Sequence, residues 1–140
     1  MKQLIFLVAM LSSTALEACE RAKDASRIAI AGGSITEILY FLGEESRIIA
    51  TDLTSTFPDE AQSFPSVGYV RDLSAEGILS LKPTLVLGEQ DMGPEEVVKQ
   101  LKKTSIDIRK IPELQSAIGI TEKINCVANV IGKSIEAKAI

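Results

Sequence analysis

Histidine is absent from all 140 residues. That removes both the commonest general base and the commonest transition-metal ligand. Neither a Ser/His/Asp nor a Cys/His catalytic set can be assembled from this chain, which makes an enzyme the weaker class. Cysteine is scarce: Cys19 and Cys126 are the two present, and their spacing suits no zinc motif. Positive charge is short as well, with 15 Lys and Arg against 19 Asp and Glu for a net charge of −4. The clustered cations that nucleic-acid phosphates or anionic lipid demand are therefore missing. The opening apolar run, Leu4 to Leu11, is far shorter than the roughly 20 residues that span a bilayer. Any metal chemistry falls to Tyr, Cys, Met or carboxylates.

What is present describes a globular chain, with 46% apolar and 24% charged residues. Its 140 residues suffice for one domain with its own core and are short for two lobes. Lys2 ahead of the apolar run, with Ser12, Ser13 and Thr14 behind it, has the order of a secretory signal, so 1–18 reads as a signal peptide. Leu16-Glu17-Ala18-Cys19 resembles a bacterial lipoprotein box with an acidic residue where a small or apolar one is usual. Two outcomes stay open: lipidation at Cys19, and plain cleavage after Ala18. Residues 19–26 read as a mobile tail, and Cys126, among apolar residues at helical spacing, reads as core, so no disulfide framework is expected.

From Arg27 onward short apolar runs alternate with amphipathic stretches. Arg27–Ala31 is a buried strand closed by Gly32-Gly33, followed by a helix with Ser34 and Glu37 as a capping box. Arg47–Leu53 is a second strand, Thr54–Phe64 a polar loop, and Ser74 starts a short helix stopped by Pro83. Pro83–Gly88 is the clearest buried strand, Pro94 opens the next helix, and Ile106–Ile111 is a fourth strand. This alternation predicts an α/β fold with a Rossmann-like open parallel sheet flanked by helices over 27–115. The stretch from Ser116 to Ile140 reads as one long helix without a stop signal.

Three segments carry candidate chemistry. Gly32-Gly33-Ser34 at a strand-to-helix turn could cradle an anion, although the third glycine of a dinucleotide fingerprint is missing, and a tight turn with a cap explains it more simply. Glu89-Gln90-Asp91 follows the best strand at the edge where open sheets bind ligands, and a plain polar loop explains it equally well. Most distinctive is Gly68-Tyr69-Val70-Arg71. A phenolate is a hard ligand for ferric iron and a known proximal ligand of haem, and a neighbouring guanidinium favours the charged form. Taken alone, Tyr69 is more simply a half-buried loop aromatic.

Read together, Ala31-Gly32-Gly33-Ser34-Ile35-Thr36-Glu37-Ile38, Thr54-Ser55-Thr56-Phe57-Pro58 and the run from Pro65 to Leu87 resemble periplasmic haem-binding proteins of the HmuT type. Those carriers share two Rossmann-like lobes joined by a long helix with the vitamin B12 and iron-siderophore carriers. The resemblance implies an amino-terminal lobe over 27–115 and the start of an inter-lobe helix over 116–140. It implies a periplasmic, non-enzymatic solute-binding component that captures haem and delivers it to an ABC transporter permease. Tyr69 would then be the iron ligand and Arg71 its support, Phe57 and Val70 apolar contacts to the macrocycle, and Glu76 a docking carboxylate for the permease. Phe57 stands where the family often has tyrosine. The alternatives are a corrinoid or ferric-siderophore carrier and, from another class, a nucleotide-binding enzyme domain.

Overall fold

In the computed structural model residues 17–133 are described, so the signal peptide except its last two residues, and the final seven residues of the expected long helix, lie outside them. Four strands, β1 (Ile28–Ala31), β2 (Ile48–Ala50), β5 (Leu85–Glu89) and β6 (Asp107–Ile111), form a parallel sheet in the order β2-β1-β5-β6. A two-residue pair, β3 (Gly68–Tyr69) and β4 (Asp72–Leu73), makes a separate antiparallel hairpin. The helices are α1 (Gly33–Phe41), α2 (Ala75–Ser80), α3 (Glu95–Lys102) and α4 (Ala117–Ile131). This is the expected Rossmann-like architecture.

The period of two along the central strands sorts the core into two layers. Ile28, Ile30, Leu85 and Leu87 face one side, where Ile35 and Leu39 of α1 and Val127 and Val130 of α4 cover them. Ala29, Ala31 and Val86 face the other, against Ile78 of α2, Val98 and Leu101 of α3, and Val70 and Leu73 of the hairpin. Gly88 belongs to this second, small-residue face, and a Cβ there would lie 2.1 Å from the Met92 sulfur. Both faces of β1 are buried, which is why it reads as a continuous apolar run.

Several expectations are corrected. Ser34 does not cap α1. Gly32 holds the cap position with φ 148 and no side-chain bond, and the Ser34 hydroxyl, already inside the first turn, donates to Glu89 Oε1 at 2.7 Å. Ser74 does cap α2, accepting from the Gly77 N–H at 3.1 Å. The long helix begins where expected, at Ala117 with the Ser116 hydroxyl accepting from the Gly119 N–H at 3.0 Å, but has a stop signal that was not foreseen. It closes at Gly132, whose φ of 83 is left-handed, with the Lys133 N–H bonded back to the Ala128 carbonyl and the Gly132 N–H to that of Asn129. The segment that carries Tyr69, read as loop, folds as the hairpin Gly68–Leu73.

The amino-terminal stretch departs most from the reading. Residues 19–26 are not a mobile tail: Ala22 is 7% exposed and its N–H donates to the Val130 carbonyl at 2.9 Å. Cys19 and Cys126 are joined in a disulfide with their Cα atoms 4.8 Å apart. The expectation of no disulfide is overturned. The cause was invisible in the spacing, because 107 positions separate the pair and only the fold brings them together.

A bridge closing so long a loop restricts the unfolded chain strongly. Reduction with dithiothreitol is expected to lower unfolding free energy by about 2–5 kcal/mol, seen as a lower urea midpoint. An unchanged midpoint would show that the bridge adds no constraint.

Candidate functional site

In a doubly wound sheet the ligand-facing edge is the carboxyl end, at the point where strand order reverses. Here that point lies between β1 and β5, the neighbours from which successive strands run outward in opposite directions. The segments leaving that edge are Gly32-Gly33-Ser34 after β1, Asp52 to Ser55 after β2, Gln90 and Asp91 after β5, and Pro112 to Leu114 after β6.

Asp52 binds the first two of these segments together. It is 3% exposed. Its Oδ1 accepts from the Gly32 N–H at 3.0 Å and the Ser55 hydroxyl at 3.1 Å, while Oδ2 accepts from the Thr54 N–H at 3.2 Å. The Thr54 hydroxyl oxygen in turn accepts from the Gly33 N–H at 2.9 Å. Gly33 must be glycine for this approach, since a Cβ would sit 2.5 Å from the Thr54 carbonyl oxygen. The two N–H groups that could have cradled a phosphate are thus already occupied. Glu89, bonded to Ser34, adds negative charge at the same mouth. The nucleotide-phosphate reading of this turn loses these two donors.

The hairpin hangs from the same edge. Gly68 has φ 100, and a Cβ there would lie 2.9 Å from the Asp72 carbonyl oxygen. The Gly68 carbonyl accepts from the Leu53 N–H at 2.9 Å, the Leu73 N–H donates to the Gly93 carbonyl at 3.0 Å, and the Gly93 N–H donates to the Val70 carbonyl at 2.9 Å. These bonds clamp it to the loops after β2 and β5. Tyr69 emerges with 42% of its surface exposed. Arg71 Nε donates to Asp91 Oδ2 at 2.6 Å. That hydrogen bond first, then the charge of Asp91 and the influence of Tyr69, hold the guanidinium above its usual pKa.

A groove of about 650 Å³ opens on the face carrying α1 and α4, lined chiefly by Tyr40, Phe41, Phe57, Leu114, Ile120 and Lys123. Lys123 is the buried cation of the region, with Nζ 3.5 Å from Glu113 Oε1 and 3.7 Å from Glu89 Oε1. A cation so desolvated needs such partners.

The expected site residues therefore separate. Tyr69 and Arg71 come together, with Asp91 as a third member. Phe57 is 65% exposed but lines the groove, whose lining does not include Tyr69. Val70 is 4% exposed and packs into the second core, so its expected contact with a macrocycle is corrected. The hairpin turns Tyr69 outward and spends Val70 on folding. Glu76 is exposed in the first turn of α2. Asp52 was missed, although a strand followed by Asp-x-Thr-Ser signals a carboxylate gathering local donors. Among the described residues no group of three or more Cys, Asp or Glu could hold a metal ion.

The family model described as periplasmic binding protein matches residues 28–139. The periplasmic haem-binding protein RhuT from Roseiflexus sp. RS-1, in apo form, superimposes with a TM-score of 0.78 at 34% identity, covering 83% of this chain and 44% of that one. The periplasmic haem-binding protein HutB of Vibrio cholerae gives 0.76 at 34% identity, over 83% of this chain and 45% of its own. Among curated proteins, an uncharacterized ABC transporter substrate-binding lipoprotein of Bacillus subtilis is 27% identical over 82% of this chain and 37% of its own length. A vitamin B12-binding protein of Pectobacterium carotovorum is 34% identical over 52% of this chain and 26% of its own. The chain spans less than half the length of these proteins.

Replacing Asp52 by Ala strands the Gly32 and Thr54 N–H groups and the Thr54 and Ser55 hydroxyls. The expected loss is about 2–3 kcal/mol in urea unfolding. A change within about 0.5 kcal/mol, the range of ordinary surface substitutions, would show that water replaces the carboxylate.

Proposed function

The chain belongs to the periplasmic binding protein family, and from that premise we propose that it supplies the amino-terminal lobe of an ABC importer's solute-binding component, with haem as the captured ligand. The observation that carries the reading is the exposed Tyr69 beside a charge-locked Arg71, at the edge where such sheets receive ligands. Similarity of about a third of residues to structures named as haem-binding proteins supports it.

In this reading the Tyr69 phenolate oxygen is an axial ligand to ferric iron. Arg71 places a guanidinium beside the ligand's position, and Asp91 holds Arg71 in place. The exposed ring of Phe57 offers apolar contact to a bound macrocycle or to whatever closes over this edge. The chemistry is reversible capture in the periplasm, with no bond made or broken in the ligand. Glu76, exposed on α2, is the carboxylate offered to a basic pocket of the permease. The relatives named as vitamin B12-binding proteins favour a second reading, a corrinoid as cargo with the same family role.

A titration separates the two. Ferric haem added to the chain is expected to give a high-spin tyrosinate-type visible spectrum, lost in Tyr69→Phe with affinity weaker by tenfold or more, which is about 1.4 kcal/mol. Saturable cyanocobalamin binding with haem uptake indifferent to Tyr69 would transfer the assignment to the corrinoid. For docking, Glu76→Lys is expected to depress delivery to the importer while the haem spectrum stays as in the wild type. Unchanged uptake would remove Glu76 from the interface.

A further inference from the structure

The amino-terminal segment is bound to the lobe by more than its covalent bridge. Arg109 Nη1 donates to the carbonyls of Glu17 at 2.5 Å and Glu20 at 3.3 Å. Asn129 Nδ2 donates to the Cys19 carbonyl at 2.6 Å, and the Ala22 N–H to the Val130 carbonyl at 2.9 Å. The partner sulfur belongs to Cys126, which is 7% exposed among the core residues of α4. A bacterial lipoprotein arises when a diacylglyceryl group is transferred to a cysteine sulfur as a thioether and the peptide bond before that cysteine is cut. In this chain the sulfur is committed to Cys126, and such a cut would remove Glu17, whose carbonyl Arg109 holds.

We propose that the exported chain is instead cut between Ala15 and Leu16 by a general signal peptidase and released without lipid, its mature amino terminus then pinned by the Cys19–Cys126 bridge. Such peptidases require small residues at the cut and two positions before it. Ser13 and Ala15 meet that requirement, whereas a cut after Ala18 would place the bulky Leu16 at the earlier position. The residues retained by the cut at Ala15 include every one that Arg109 and Asn129 hold. Water adds across the peptide bond, leaving a carboxylate on Ala15 and an amine on Leu16. The two thiols then lose two protons and two electrons to the disulfide of a thiol oxidase in the export compartment, which becomes a dithiol. Nothing in this inference depends on which ligand the lobe captures.

The test is the intact mass of the full chain expressed with its leader in a Gram-negative host. The expected species is 16–140 less two hydrogens, found in the osmotic-shock fluid. Cys19→Ser is expected to be cut at the same bond, and Ala15→Asp to accumulate as precursor. A product beginning at Cys19 with a diacylglyceryl mass, or precursor accumulation in Cys19→Ser, overturns the proposal. A lipid-free cut after Ala18, or free thiols in the released wild type, overturns it too. If the serine variant is degraded, the wild-type mass alone decides.

Discussion

A carboxylate buried at the end of the second strand is the constraint from which the working edge of this lobe follows. Asp52 cannot sit at 3% exposure without donors. The donors it gathers come from the turn after β1 and from the loop after β2. That gathering draws Gly33 against Thr54 so closely that no side chain fits between them. Leu53, one residue beyond Asp52, then receives the hairpin through the Gly68 carbonyl. The position of Tyr69 is thus set several bonds away from Tyr69 itself.

The edge divides into two chemically different halves. On the hairpin side charge dominates, with Arg71 and Asp91 paired in the open. On the α1 and α4 side the surface is apolar, and its buried cation, Lys123, is neutralised by Glu113 and Glu89. Glu89 stands between the halves, since it also receives the Ser34 hydroxyl and adds its charge to the field at Arg71. A phosphate at this boundary would meet Glu89 where it needs N–H donors.

The parts legible in the sequence are those decided locally. Ile-Ala-Ile-Ala before two glycines can hardly be other than a strand buried on both faces, and Ser74 with Glu76 marks a helix start by capping and dipole alone. Ser34 carried the same signature yet failed as a cap, because Gly32 took that position and Glu89, 55 residues away, took the hydroxyl. The disulfide was hidden for the same reason. Val70 looked available in a polar loop, but a hairpin only two residues deep alternates its side chains, and the residue after an outward tyrosine turns inward. Arg71 and Asp91 each stood out in the sequence, but their pairing emerges only when β5 and the hairpin are seen side by side.

The bond between Cys19 and Cys126 turns nearly the whole described lobe into a covalent circle. A protease that cuts once at any peptide bond inside it, even in the exposed stretch around Leu53 and Phe57, releases nothing. The nicked molecule remains in one piece, heavier by a single water, and separates into fragments only when a reductant opens the ring. That topology makes a first injury survivable.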